Sequence, residues 1–160
     1  MHPYPHTYRA SASSDRTGVV AVTSPQLPTL ATAAPPQFDG PAGVWSPETL
    51  LCASLADCFV LTFRAVARAA NLDWLHLECR VEGVLERVAQ RSEFTRYTTI
   101  ATLTVLAGVD SAQAHQLLER AEKGCLIANS VRGERVLKAE IISANPASTS
   151  QVAQPAQLVS

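Results

Sequence analysis

Apolar and polar residues alternate along one segment of the chain, and this alternation predicts a β-strand. In residues 75–88 the apolar positions recur with a period of two, as in a strand with one face in the core and the other in solvent. Residues 94–106 are rich in Thr, Tyr, Ile and Val, which favours a second strand. Residues 90–93 are expected to form the turn, so the two strands should pair as an antiparallel hairpin.

A long helix is predicted to begin after Ser46. Serine can cap free backbone N–H groups, Pro47 fits the first turn, and Glu48 meets the positive end of the helix dipole. The helix should extend to about residue 70. Its middle, residues 50–60, is apolar on nearly every side, and a helix with that pattern is expected to be central and buried.

A second helix and a last strand are predicted in the C-terminal half. Asp110 or Ser111 should cap the helix, which is expected to continue through residue 123 with a one-sided apolar stripe. Gly124 should end it, because glycine readily adopts the backbone conformation that follows many helices. Residues 135–142 are expected to form the last strand.

The two ends of the chain give weaker patterns. Residues 6–24 predict two short strands around a turn rich in Ser, Asp and Gly, which places Arg16 at the tip of a hairpin. Residues 25–44 hold five prolines and no periodic pattern, so an extended connection is expected. Residues 144–160 are expected to be a disordered tail, and residues 1–143 a single domain, since one hydrophobic core suits a chain of 160 residues.

Composition and charge narrow the set of partners. Thirteen Lys and Arg against fourteen Asp and Glu leave a net charge of −1, so no nucleic-acid partner is expected. The longest apolar stretch, residues 49–63, contains Asp57 and falls short of the roughly 20 residues that span a bilayer, so no membrane partner is expected either. The first residues do not resemble a secretory signal, which favours the cytoplasm.

The four cysteines are the candidate reactive groups. Cys79 alternates onto the apolar face of its predicted strand, which favours a packing role. Cys52 and Cys58 lie six residues apart on one helix, about 120° around it, and cannot share a metal ion. Cys58 in a helix centre and Cys125 at a helix exit could form a redox pair, and the alternative is that all four are scattered core thiols.

No other catalytic or cofactor-binding set is visible in the chain. His76 falls on the wet face of its strand and His115 on an amphipathic helix, with no second ligand at metal spacing, so both are expected to be solvated. There is no Gly-rich phosphate loop and no Ser/His/Asp set. We therefore expect neither a metal nor a cofactor.

The residues around Cys58 and Cys125 resemble the two cysteine motifs of the OsmC/Ohr peroxidases. The first motif is SPETLL at residues 46–51 followed by ASLADCF at 53–59, and the second is AEKGCLIAN at 121–129. The resemblance is strongest over residues 44–142. It implies an α+β fold in which an antiparallel sheet wraps around a long central buried helix with a second helix beside it. It also implies an intertwined homodimer with two active sites at the subunit interface.

The resemblance gives four residues a role. Cys58 matches the peroxidatic cysteine, Cys125 the resolving cysteine and Glu48 the motif glutamate. Arg16 matches the arginine that accompanies the thiolate, where a guanidinium favours ionisation of the thiol and can donate to the leaving alkoxide. Glu48 would hold that arginine in place. The alternatives for the arginine are Arg9, Arg64 and Arg68.

Three positions depart from the family pattern. Leu126 follows Cys125 where the family usually has proline, which bears on the mobility of Cys125. Asp57 stands where a small neutral residue is usual, and its charge would oppose a thiolate at Cys58 if it pointed toward it. Cys52 is an additional thiol.

The activity that the resemblance implies is a thiol-dependent peroxidase. The Cys58 thiolate would attack a hydroperoxide, become a sulfenic acid, and form a disulfide with Cys125. An external thiol, such as a lipoylated protein or a small thiol donor, would then reduce the disulfide. Four apolar residues of the first helix would favour organic hydroperoxides over hydrogen peroxide, and the alternative is that they belong to the core: Leu51, Leu55, Phe59 and Phe63. The alternative is a non-catalytic, dimeric binding or redox-sensor module with the same fold.

Helix geometry makes a prediction about Glu48. Ten residues of continuous helix separate Glu48 from Cys58, which corresponds to about 15 Å along the axis. A contact through one arginine of the same chain is therefore not expected. If two copies of the helix pack antiparallel across a two-fold axis, Glu48 would complete the site of the partner subunit.

Overall fold

The computed structural model describes residues 3–144 of the chain. The chain divides into two compact units, Met1–Leu51 and Cys52–Ser160, and the division falls inside the long helix α1 (Pro47–Ala69). The expectation that residues 1–143 form a single domain stays a prediction.

The first unit contains a three-stranded antiparallel sheet. Its strands lie side by side in the order β1 (Ser11–Ser13), β2 (Val20–Thr23) and β3 (Leu30–Thr32). The predicted hairpin is confirmed, and Arg16 lies in the turn between β1 and β2. Gly18 in the same turn has a φ of 101°, a conformation that other residues adopt only with strain.

The segment predicted as an extended connection, residues 25–44, has more regular structure than expected. It contains β3, which pairs with β2, and the 3₁₀ turn Pro36–Phe38. The prolines obscured this strand in the sequence. Between Pro28 and Pro35 the backbone N–H groups of Leu30–Thr32 are free to pair, so the prolines flank the strand without interrupting its hydrogen bonds.

The start of α1 is the one that its residues predict. The N–H of Thr49 donates to Ser46 Oγ at 3.2 Å, and the N–H of Ser46 donates to Thr49 Oγ1 at 2.9 Å. These reciprocal bonds satisfy two backbone donors at the N-terminus of the helix. Pro47 occupies the first helical position, where a missing N–H costs nothing.

The second unit contains the long predicted hairpin, with a shorter turn than expected. β4 (His76–Val88) and β5 (Arg91–Leu106) pair antiparallel from His76 opposite Thr104 to Val88 opposite Arg91, with a shift of register after Val84. The turn is Ala89 and Gln90 alone, with φ of 45° and 69°, so the prediction of a turn over residues 90–93 is wrong. Two consecutive residues with positive φ give the turn the twist of the flanking strands, which lets pairing continue up to it.

One strand of this sheet runs in the direction opposite to the one expected. β6 (Glu134–Ala144) pairs with β5 in parallel, so the sheet is mixed rather than antiparallel. A parallel neighbour needs a crossover connection, and α2 (Ser111–Gly124) supplies it. Ala144, the first residue of the predicted tail, belongs to β6, and residues 145–160 lie outside the described residues.

Two helices and two sheets confirm the α+β class. In the second unit the helices and the sheet share one core. Its buried members come from α1, the following turn, β4, β5 and α2: Phe59, Phe63, Ala67, Leu72, Leu77, Ala101, Leu103, Val105, Ala114, Leu117, Leu118 and Ala121.

The burial of α1 differs from the prediction. Within this chain it is buried along one line with a spacing of four residues, formed by Leu55, Phe59, Phe63 and Ala67. Leu61, on another side, is 52% exposed. Among residues 3–144, α1 is the one helix long and apolar enough to cross a membrane, but its buried line places it in a protein core. The expectation of burial on all sides is therefore not met by a single copy of the chain.

The N-cap of α2 gives a test of the fold. Asp110 Oδ1 accepts a hydrogen bond of 2.8 Å from the N–H of Ala112. We expect Asp110→Ala to lower the free energy of unfolding by about 1 kcal/mol, because it leaves a helix donor without its cap, whereas Asp110→Asn should lose much less. Denaturant unfolding measures both variants. Equal losses in the two would contradict a capping role.

Candidate active site

Cys58 and Cys125 are brought together in the second unit. Cys58 lies in the middle of α1 and is half-buried, and Cys125 follows the last residue of α2 and is 1% exposed. The Cys125 thiol donates a hydrogen bond to the sulfur of Cys58. Gly124 permits this approach, since a side chain there would begin 3.3 Å from Thr62 Cγ2 on α1.

Three further donors point at the sulfur of Cys58. They are the backbone N–H groups of Ile127 and Leu126 and the hydroxyl group of Thr62. Burial by itself raises the pKa of Cys58, but these donors and the Cys125 thiol together outweigh it, and the pKa lies below the usual value of a thiol. Hydrogen bonds to the charged form favour ionisation, so this arrangement stabilises a thiolate at Cys58.

Cys125 is shifted in the opposite direction. Burial is the largest cause, and the neighbouring Cys58 and Glu122 add to it, so that the pKa of Cys125 is raised to about 11. The N–H of Ala128, 3.5 Å from Cys125 Sγ, works against this shift without reversing it. Cys58 is therefore the more readily ionised thiol of the pair, and Cys125 stays protonated at neutral pH.

The loop after α2 aims its amides at the two sulfurs because it folds back on itself. The N–H of Asn129 donates to the carbonyl of Cys125 at 3.0 Å, and the N–H of Ser130 donates to the carbonyl of Ile127 at 2.9 Å. These bonds close the 3₁₀ turn Ala128–Ser130. The N–H groups of Leu126, Ile127 and Ala128 then point back toward the cysteines.

The departures from the family pattern acquire a structural meaning. Leu126 supplies an N–H donor to Cys58, which proline at this position would lack. Asp57 is exposed on α1. Cys52 is half-buried beside Gly83, and burial raises its pKa. Cys79 packs against the core, where burial, Glu122 and Cys125 raise its pKa to about 12.

Glu48 and Arg16 both belong to the first unit. The carboxylate of Glu48 lies at an apolar cavity of about 400 Å³, whose wall includes Val22, Thr32 and Phe38. Its Oε2 atom is buried and has no hydrogen-bond partner among the residues that the structure describes. Arg16 is exposed in its turn. The pairing of these two residues stays a prediction.

Three of the residues expected to line a substrate surface are buried inside the protein. Leu55, Phe59 and Phe63 are at most 4% exposed, and the two phenylalanines belong to the core. Their burial agrees with the alternative that they belong to the core. Leu126 and Ile127, whose N–H groups face Cys58, have exposed side chains. His76 and His115 are exposed, and among residues 3–144 no three His, Cys, Asp or Glu side chains are grouped to hold a metal ion.

Sequence reasoning missed the main-chain donors and the Thr62 hydroxyl. A backbone N–H is present at every residue other than proline, so it leaves no mark in the sequence. Thr62 lies one helical turn after Cys58, and this spacing is the signal that could have identified it.

Comparisons with known proteins agree with this fold. The model of the family described as OsmC-like protein matches residues 40–140. The uncharacterized protein YmaD of Bacillus subtilis is 27% identical over 141 residues, which cover 84% of this chain and 92% of that protein.

Two solved structures have the same fold. An OsmC-like protein of unknown function from Vibrio cholerae superposes with a TM-score of 0.77 at 17% identity, over 84% of this chain and 99% of its own. The organic hydroperoxide resistance protein OsmC of Legionella pneumophila has a TM-score of 0.69 at 26% identity, over 88% of this chain and 99% of its own. The chain belongs to the OsmC-like family.

The opposite pKa shifts predict separate pH profiles for the two thiols. Because the thiolate is the reactive form, alkylation of Cys58 should reach half its maximal rate below the pH of an ordinary thiol, and Cys125 only near pH 11. Thr62→Val should move the Cys58 midpoint upward by about half to one pH unit, since it removes a donor. Thr62→Ser should keep it.

Brief iodoacetamide labelling at a series of pH values, followed by peptide mass spectrometry, reports each cysteine separately. A common midpoint for Cys58 and Cys125 would contradict the arrangement described above.

Proposed function

We propose that this chain is a thiol-dependent peroxidase that reduces organic hydroperoxides to alcohols. The observation that carries the proposal is the hydrogen-bonded pair in which Cys58 is stabilised as a thiolate and Cys125 is kept protonated. A thiolate is the form that attacks a peroxide, and a second thiol within hydrogen-bond distance can trap the product. The relative from Legionella pneumophila described as an organic hydroperoxide resistance protein supports this activity.

In the first step the Cys58 thiolate attacks the terminal oxygen of a hydroperoxide. A sulfur–oxygen bond forms as the oxygen–oxygen bond breaks, and its electron pair leaves with the alkoxide. The alkoxide takes up a proton and becomes an alcohol. Cys58 is left as a sulfenic acid, so the sulfur has lost two electrons and the peroxide has gained two.

In the second step Cys125 condenses with the sulfenic acid. The negative charge at Cys58 is one of the causes that raise the pKa of Cys125, and a sulfenic acid at Cys58 is neutral. Oxidation therefore lowers the pKa of Cys125 when its thiolate is needed. That thiolate attacks the Cys58 sulfur, a disulfide forms, and hydroxide leaves and combines with the Cys125 proton as water. An external thiol of the dihydrolipoamide type, or another small thiol, returns both cysteines to thiols.

The substrate surface is apolar on the side of the loop. Leu126 is 67% exposed and its neighbour Ile127 36% exposed, and both supply an N–H donor to Cys58. An apolar tail of an organic hydroperoxide can contact these side chains while its peroxide group lies at the sulfur. Hydrogen peroxide has no such tail, which favours organic substrates.

We assign Arg16 and Glu48 to the same reaction, in a homodimer. The buried Glu48 Oε2 needs a hydrogen-bond donor, and a guanidinium is one that could also stabilise the leaving alkoxide. Exposed apolar residues of α1 such as Leu61 leave a surface that a second copy of the helix would cover. Antiparallel packing of the two helices would bring Glu48 of one subunit to the thiol pair of the other. A cytoplasmic location, where thiols stay reduced, suits this chemistry.

The first test of the function is the loss of turnover without Cys58. Pure protein with dihydrolipoamide should consume cumene hydroperoxide, and Cys58→Ser should reduce the rate to that of buffer because no thiolate remains to attack. Cys52→Ser, on the same helix, is the matched control and should keep the activity. Undiminished turnover by Cys58→Ser would rule out the proposed mechanism.

One equivalent of peroxide separates the enzyme from a non-catalytic module. Mass spectrometry of the oxidised protein should show a disulfide between Cys58 and Cys125, with Cys79 still a thiol. Thiols that stay unreacted would support a binding module of the same fold instead.

Subunit mixing tests the position of Glu48. Cys58→Ser and Glu48→Ala homodimers should each be inactive or nearly so. In a heterodimer both lesions fall in one site and leave the other intact, so exchange of subunits should restore about one good site per dimer. Exchange is confirmed independently by native mass spectrometry. Lack of recovery despite exchange would show that Glu48 acts in its own chain or has no role.

A further inference from the structure

A chain of polar contacts crosses the loop that supplies the main-chain donors. Arg135, near the start of β6, donates through Nη1 to Asn129 Oδ1 at 2.9 Å, and its Nε lies 3.9 Å from Glu122 Oε1 on α2. Asn129 Nδ2 in turn donates to the carbonyl of Lys123 at 3.0 Å. Arg135 thus links the strand, the loop and the end of the helix.

The ion pair between Arg135 and Glu122 is more sheltered from solvent than the other ion pairs among residues 3–144, whereas the two hydrogen bonds of Asn129 are exposed. The side chains of Arg135 and Glu122 are 31% and 14% exposed, whereas those of the pair Arg96–Glu134 on the same sheet are 56% and 60% exposed. Thr99 on β5 also donates to Glu122 Oε2 at 3.4 Å, which fixes the carboxylate from a second side. A partly buried contact is screened less by water and salt than an exposed one.

The loop needs such a support because no regular element fixes the amides that face Cys58. Leu126 and Ile127 lie between the end of α2 and the 3₁₀ turn Ala128–Ser130, outside any strand or helix ladder. Asn129, which Arg135 holds, belongs to that turn. A small rotation of the turn would move both N–H groups away from the sulfur of Cys58.

We infer that Arg135 is a positioning residue, which holds the loop through Asn129 and Glu122 so that the amides of Leu126 and Ile127 stay directed at Cys58. The inference deepens the proposed function, since it concerns the reactivity of the thiol that the proposal assigns to peroxide reduction. Arg135 itself contacts neither sulfur in this arrangement. It acts through the loop, and its loss is felt as a weaker thiolate.

The groups that face the thiol pair determine whether loss of Arg135 raises or lowers the pKa values of the two cysteines. They are Thr62 on α1, Glu122 on α2 and Cys79 on β4, in addition to the loop itself. Losing the amide donors raises the pKa of Cys58. Glu122 without its cation would add to the causes that already raise the pKa of Cys125. The first change reduces the population of Cys58 thiolate, and the second keeps Cys125 protonated, so the midpoint of Cys58 should move upward.

The test compares three arginine variants by the pH profile of Cys58 alkylation. Arg135→Met should move the midpoint upward by about one pH unit, the effect expected for weakened hydrogen bonds to a thiolate. Arg135→Lys should shift it less, because a lysine can reach one partner but lacks the planar fork that serves two. Arg96→Met is the matched control: it breaks an ion pair of 2.7 Å on the same sheet and should leave the midpoint unchanged.

Melting temperatures of the same variants separate positioning from stability. If Arg135→Met melts as Arg96→Met does and the Cys58 midpoint stays at its original pH, the inference is wrong. If Arg135→Met does not fold, Asn129→Ala removes the contact to Arg135 together with that to the Lys123 carbonyl, and keeps the Arg135–Glu122 pair. It should raise the midpoint in the same direction, and an unchanged midpoint in that variant also overturns the inference.

The labelling uses no peroxide, so its result does not depend on the proposed activity. Failure of Cys58→Ser to abolish turnover would remove the peroxidase proposal and leave the effect of Arg135 on the thiol measurable. A normal profile in Arg135→Met beside a normal loss in Cys58→Ser would remove only the positioning role.

Discussion

The hydrogen bond from Cys125 to Cys58 is the interaction on which the rest of the site depends. It joins the middle of one helix to the exit of another, and it places two chemically identical thiols in surroundings that shift their pKa values in opposite directions. The asymmetry comes from the surroundings, since Cys58 receives donors from Thr62, Leu126 and Ile127 while Cys125 is buried beside a carboxylate. The same geometry that stabilises the thiolate places the second thiol where the oxidised sulfur will need it.

Main-chain donors suit this purpose because a peptide N–H cannot change its protonation state and cannot itself be oxidised. Their direction depends on the fold of a short loop, and we infer that side-chain contacts of this loop help to hold it in place. Leu126 acts through its place in the chain and not through its side chain. The side chain is exposed, and the contribution to Cys58 is the backbone N–H that any residue except proline would provide. Arg135 and Asn129 contribute in the opposite way, since it is their side chains that connect the loop to β6.

The sequence predicted those features that leave a periodic or local signal. The alternation in residues 75–88 and the cap at Ser46 identified β4 and the start of α1, because burial and capping act on specific residue types. The parallel direction of β6 was missed, since pairing direction depends on the crossover and not on the strand residues. The two cysteines were found through their motifs. The backbone N–H groups that donate to them were not found, because every residue except proline has such a group. The pairing of Arg16 with Glu48 has no observed contact to decide it.

The apolar pattern of α1 is wider than the surface that α1 buries within a single copy of the chain. Its middle is apolar on nearly every side, yet only the line of Leu55, Phe59, Phe63 and Ala67 is buried. Apolar side chains left in water, such as Leu61, favour association, because burying them releases ordered solvent. A sequence records the environment of each residue in the functional assembly, so a helix apolar all round is the pattern expected where a second helix covers the other face. The homodimer that we propose accounts for that pattern, and it gives the unpaired carboxylate of Glu48 a partner outside its own chain.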